Sequence, residues 1–113
     1  MRLAFATFWL GLCCAGPAIA NPPLGLWLTE PDKKGQVAHV EVTRCDAALC
    51  GEIVRTLDPQ GQPIAHPNIG KRVFWDMKAT GEGTYQGRAY VPAHDREYRG
   101  RLTHEGDTLE VGG

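Results

Sequence analysis

Residues 36–57, QVAHVEVTRCDAALCGEIVRTL, decide the fold. From Gln36 to Arg44, Ala38, Val40 and Val42 fall on one side, and His39, Glu41 and Thr43 on the other. That period of two belongs to a strand with one face covered and one face wet. The segment Cys45-Asp46-Ala47-Ala48-Leu49-Cys50 then reverses the chain into a second run, Gly51 to Leu57. A β-hairpin with a cysteine on each side of its turn is expected.

The same grammar repeats on both sides of the hairpin. Gly25 to Glu30 reads as a strand closed by Pro31-Asp32-Lys33-Lys34-Gly35. Arg72 to Lys78 places Val73, Trp75 and Met77 in one phase, and Ala79 to Gly83 turns. Thr84 to Val91 puts Tyr85, Ala89 and Val91 inward and Gln86, Arg88 and Tyr90 outward. Pro92-Ala93-His94-Asp95 leads into Arg96 to His104, with Tyr98 and Leu102 in phase, and Glu105-Gly106-Asp107 leads into Thr108 to Val111. The longest irregular stretch is 58–71, DPQGQPIAHPNIGK, whose length marks it as functional or mobile. Seven strands and no amphipathic helix result, an all-β antiparallel meander. Closing it into a small barrel removes exposed edges, and a partial barrel is the alternative.

Residues 1–20 read differently. Arg2 supplies a positive start, Leu3 to Ala15 an apolar run, and Ala18-Ile19-Ala20 the small residues of a cleavage site, so a secretion signal ending before Asn21 is expected. The run is short of the roughly 20 apolar residues of a membrane span. Cys13 and Cys14 raise the alternative of a lipidated leader, against which Leu12 is a poor preceding residue. Removal leaves 93 residues as a single β domain over 21–113, located in the periplasm or secreted. With Arg2 gone, 11 Lys and Arg face 13 Asp and Glu, a formal charge of −2. That balance argues against a nucleic-acid partner.

Export makes Cys45 and Cys50 interpretable. An even pair in an oxidising compartment defaults to a disulfide, and two cysteines allow one connectivity. The rivals are a metal site and a redox couple. His39 and His66 lie outside familiar zinc spacings, and a thioredoxin-like motif has two residues between its cysteines where this one has four. No cofactor and no metal site is expected.

The catalytic inventory is thin. The chain contains no Ser, which excludes a Ser-His-Asp triad, and it has no phosphate-binding Gly-rich motif. Glu41 and Glu52 are placed to face one another across the hairpin, but solvated strand carboxylates do the same. His94-Asp95 invites a general-base role, yet it sits where a turn wants polar residues. No enzyme is expected, with a hydrolase the remaining enzymatic alternative. The aromatics Trp27, Trp75, Tyr85 and Tyr98 all read as inward. They either fill the core or line a ligand pocket at one barrel mouth, with 58–71 as its flap.

Several pieces together carry a resemblance: Gly25-Leu26-Trp27, Cys45-x4-Cys50-Gly51, Leu57-Asp58-Pro59-x-Gly61, Gly87-Arg88-Ala89-Tyr90-x-Pro92, Tyr98 and Gly106-Asp107-x-Leu109. In order and spacing they resemble the exported bacterial proteins grouped as domain of unknown function 2147, over nearly all of residues 24–111. Gly25-x-Trp27 also resembles the opening of the calycin barrels, which include the lipocalins. The resemblance implies a secreted or periplasmic β-protein without an assigned activity. It also implies one or two strands beyond Leu109-x-Val111-Gly112, so that this chain would lack its closing strand. In calycin-like barrels a late Arg packs over the first-strand Trp, a contact worth about 0.5–2 kcal/mol. No Arg follows Arg101 here. Two functions are therefore expected as alternatives. One is a binding protein for a small apolar or amphipathic envelope ligand at Trp27, Trp75, Tyr85 and Tyr98. The other is an inhibitor or adaptor of an envelope enzyme, acting through the 58–71 loop.

Overall fold

The computed structural model describes residues 2–5 and 22–113. Nine strands follow in order: β1 Arg2–Phe5, β2 Gly25–Thr29, β3 Val37–Cys45, β4 Ala48–Leu57, β5 Pro63–Ile64, β6 Arg72–Gly81, β7 Thr84–Val91, β8 Arg96–Glu105 and β9 Thr108–Gly112. Hydrogen bonding runs β3-β2-β1-β9-β8-β7-β6-β4, and a further β3–β4 ladder closes the ring into an eight-stranded antiparallel barrel. β5 hangs outside it on β4. The turns at 31–36, 58–71 and 92–95 define an upper end, and those at 46–47, 82–83 and 106–107 a lower one.

The alternation of polar and apolar residues builds the wall. Val40 and Val42 of β3, Ile53 of β4, Val73, Phe74 and Met77 of β6, Tyr85 and Ala89 of β7, Leu102 of β8, and Leu109 and Val111 of β9 are all buried in one cluster. At β3–β4, Cys45 pairs with Ala48 across Asp46-Ala47, and Asp46 takes a left-handed φ of 57°. Cys45 and Cys50 are disulfide-bonded across this turn, with Cα atoms 5.9 Å apart. Glu41 and Glu52 do face each other in register, both exposed on the outer wall.

Three expectations are corrected. First, Trp75 is not in phase with Val73 and Met77. Asp76 adopts φ 53°, and the β6–β7 register shifts between Trp75 and Lys78. This bulge adds a residue, so Phe74 turns inward and Trp75 outward. Gly87 makes room for it, because a Cβ there would collide with the backbone carbonyls of Trp75 and Asp76.

Second, 58–71 is less irregular than its composition. Asp58 Oδ1 accepts the N–H groups of Gln60 and Gln62, both at 2.9 Å, an Asx-type turn that starts a short hairpin. Residues 66–71 are then fixed by Gly70 N–H donating to the Ile53 carbonyl and Ile53 N–H to that of Lys71. Asp32 organises the 31–36 turn in the same way, through Lys34 and Gln36.

Third, the expected open edge is filled. β1 lies between β2 and β9, antiparallel to both, with Leu3 opposite Thr29 and Leu109. Most of the leader over 1–20 lies outside the described residues, and only 2–5 are seen, as this strand.

Candidate functional site

The four sequence-predicted aromatics do not converge. Trp27 is 1% exposed near the lower end, where its Nε1 donates to the Pro23 carbonyl at 2.9 Å. The His104 ring meets it edge-on, 5.7 Å between centroids at 88°. An imidazole from β8 thus packs edge-on against the first-strand Trp. Tyr85 is also buried in the core cluster. Tyr98 is half-buried against that cluster and reaches the upper mouth, where it lines a cleft of about 520 Å³ with Val91, His94 and Arg96. Trp75 stands on the outer wall. It shares an open groove of about 370 Å³ with Lys71, Arg72 and Tyr90.

The 58–71 loop lies at the same end of the barrel and contributes His66 and Asn68 to a second cavity. That cavity, of about 110 Å³, is lined by Thr29, Gln36, Thr56, His66 and Asn68 among others. That is well below the roughly 300–1,000 Å³ of small-molecule sites, and Val37, Ala38 and Ile53 share its lining with the polar residues.

Around the Trp75 groove the outer wall has a distinct character. Trp75, Arg88 and Arg99 stand in one cross-strand row, and Gln86 pairs with Arg101 in the next. Lys71, Arg72, Lys78, Arg88, Arg99 and Arg101 all lie exposed on or beside β6–β8, half of the chain's 12 Lys and Arg. Lys71 Nζ sits 6.0 Å over the Tyr90 ring, at the outer limit of a cation–π contact. Arg88 and Arg99 are directly opposite in register, an arrangement of like charges that costs stability unless an anion lies between them. Exposed Asp76 and Glu97 stand among these cations, Glu97 opposite Tyr90; the signal in the sequence was the outward phase of Arg88 and Tyr90, without the neighbours that folding supplies.

Among the described residues two titrating groups are perturbed. Tyr90 Oη donates to Asp95 Oδ1 at 2.7 Å. This bond, then desolvation and the charges of Asp95 and Glu97, hold the phenol above its usual range. His39 is held below the usual imidazole range by desolvation first and by Arg55 second. His94 and Asp95 lie in a turn closed by His94 N–H to the Val91 carbonyl, and Asp95 is engaged by Tyr90. Among the described residues no group of three or more His, Cys, Asp or Glu is arranged to hold a metal ion. No described helix is long and apolar enough to cross a membrane, a statement that does not bear on strands.

The fold and wall therefore define a small antiparallel β-barrel with a filled interior cluster and a basic, aromatic outer face. Residues 25–113 match the family described as Uncharacterized protein conserved in bacteria (DUF2147), and the chain belongs to it. No curated protein and no solved structure matches the chain.

Proposed function

We propose that this chain is an exported, non-enzymatic binding protein that takes an acidic amphipathic envelope molecule at its outer wall. One observation carries the reading: Trp75 and Tyr90 line an open groove with Lys71 and Arg72, while Trp27 and Tyr85 are packed into the core. Aromatic faces offer apolar contact at low conformational cost, and the two cations select a carboxylate or phosphate end. The upper-mouth cleft of Tyr98, Arg96 and His94 offers the same chemistry a few residues away. Periplasmic or secreted location rests on the leader composition of residues 1–20 and on the Cys45–Cys50 bond, which suits an oxidising compartment.

The test is a fluorescence titration with a twelve-carbon fatty carboxylate. A blue shift of tryptophan emission is expected, lost in Trp75→Phe and weakened at least tenfold in Lys71→Glu/Arg72→Glu. An unchanged titration in both variants would place binding elsewhere and sink the reading. A second reading, docking of an envelope protein, is favoured by the exposure of Val54 and Ile69 beside the groove, at 36% and 40%. Its mark is photo-crosslinking from position 75 to one discrete protein, abolished by the same charge reversals.

A further inference from the structure

We propose that Arg88 and Arg99 form a second anion pole beside the Trp75 groove, so that the outer wall takes an amphipathic molecule with two acidic groups, one at each end of an apolar middle. This assignment rests on the groove being a binding site, and it names the class of molecule the groove takes.

Trp75 pairs with Arg88 across β6–β7, and Arg88 pairs with Arg99 across β7–β8, so the three side chains leave the sheet on one face in a single row. Both arginines are exposed. Directly opposed residues of an antiparallel pair have Cβ atoms about 5 Å apart, which lets two long guanidinium side chains close on one anion. Each guanidinium presents a planar fork of donors that matches two oxygens of a carboxylate or phosphate.

The row itself holds no carboxylate. Nearest in register are Glu97, opposite Tyr90 in the adjoining row, and Asp76, in the bulge after Trp75. Among the described residues neither forms an ion pair with Arg88 or Arg99. Like charges set directly opposite one another repel, and an anion held between them relieves that repulsion. The row on the other side, Lys78, Gln86 and Arg101, also carries two cations, but Gln86 separates them. It therefore offers the same charge without the opposed pair.

Trp75 reaches this face through a specific backbone feature. Asp76 takes φ 53°, and Gly87 leaves room for the resulting bulge. A left-handed non-glycine residue is uncommon, and bulges recur where a strand re-aims a side chain at a site. Gly87 directly precedes Arg88, so the strand position that admits the bulge adjoins the arginine standing opposite Trp75.

Two cationic poles result, with the indole between them. Lys71 and Arg72 line the groove with Trp75. Along β6, Arg72 lies three residues before Trp75, a rise of about 10 Å. Arg88 and Arg99 lie one and two strands across from Trp75, about 5 and 10 Å in sheet spacing. A molecule with one acidic group satisfies one pole. A molecule with an acidic group at each end satisfies both, and the second contact then forms at high effective concentration.

The full 113-residue chain is titrated calorimetrically with dodecanoate, with dodecanedioate, which carries a carboxylate at each end, and with succinate, a dicarboxylate too short to reach both poles. Dodecanedioate is expected to bind about tenfold tighter than dodecanoate or better, and succinate to show no such gain. Arg88→Gln/Arg99→Gln is expected to abolish the preference for the longer dicarboxylate. Lys78→Gln/Arg101→Gln, which removes the same charge from the neighbouring row, is expected to keep it. Equal loss in the two variants overturns the proposal, because a diffuse positive field then explains the gain. Vesicles of phosphatidylglycerol that bind with the same equal loss also overturn it, assigning the wall to an anionic membrane surface. Succinate binding as tightly as dodecanedioate overturns the two-pole span. Dodecanoate bound through Trp75 with no gain for dodecanedioate overturns this inference and leaves the groove reading standing. If neither long acid binds, both fall together.

Discussion

Gly51 stands opposite Phe74 on the inner wall, and a Cβ there would lie 2.5 Å from the Phe74 ring. The aromatic ring takes the space that a side chain would occupy, covering the glycine backbone. Gly51→Ala should therefore destabilise by about 1–3 kcal/mol, the usual cost of overpacking, read as a lower urea midpoint at unchanged slope. His39 gives a pH signature. Its folded pKa lies below the unfolded value of 6.5, so the unfolded chain binds the proton more readily. Its contribution is complete above pH 6.5 and declines as pH falls through the folded pKa. His39→Gln should flatten that part of the stability–pH curve, measured as urea midpoints at pH 7.5 and 5. An unchanged difference between the two pH values would show that His39 is not its source.

At the scale of the element, the β3–β4 hairpin was legible because each signal was local. Alternation fixed the faces of Val40 and Val42, and the Cys45–Cys50 spacing fitted a pinned turn. Cys45→Ala/Cys50→Ala should lower stability by about 2 kcal/mol, the loop-closure effect for so short a ring, by urea titration of oxidised protein. β6 was misread for an equally physical reason. A bulge depends on what the neighbouring strand tolerates, here the bare backbone of Gly87, and nothing in Arg72–Lys78 alone announces that Asp76 takes a left-handed conformation. The 58–71 loop shows the intermediate case. Asp58-x-x-Gly61 marked a turn, while the docking of residues 66–71 needed the Ile53 backbone of a strand already in place.

For the whole molecule, the division between inner and outer aromatics yields a contrasting pair. Trp27→Ala removes a large side chain that is 1% exposed and should cost about 3–5 kcal/mol, enough to unfold a small domain. Trp75→Ala should cost about 1 kcal/mol or less, by the same thermal or urea melt, because its ring lies on the outer wall. Equal losses would mean that the Asp76 bulge does not set the phase of β6.

What the sequence determined alone is what depends on near neighbours: strand faces from alternating side chains, turns from Asp, Gly and Pro, and the cysteine spacing that a hairpin end accommodates. It also determined that no serine nucleophile exists. What only the tertiary structure decided depends on residues far apart in the chain. The bulge turned Trp75 outward, the registers of β6, β7 and β8 gathered Arg72, Arg88, Arg99 and Tyr90 onto one wall, and residues 2–5 paired between β2 and β9. Sheet pairing is non-local, so the meaning of each of these residues was set by the partner strand beside it.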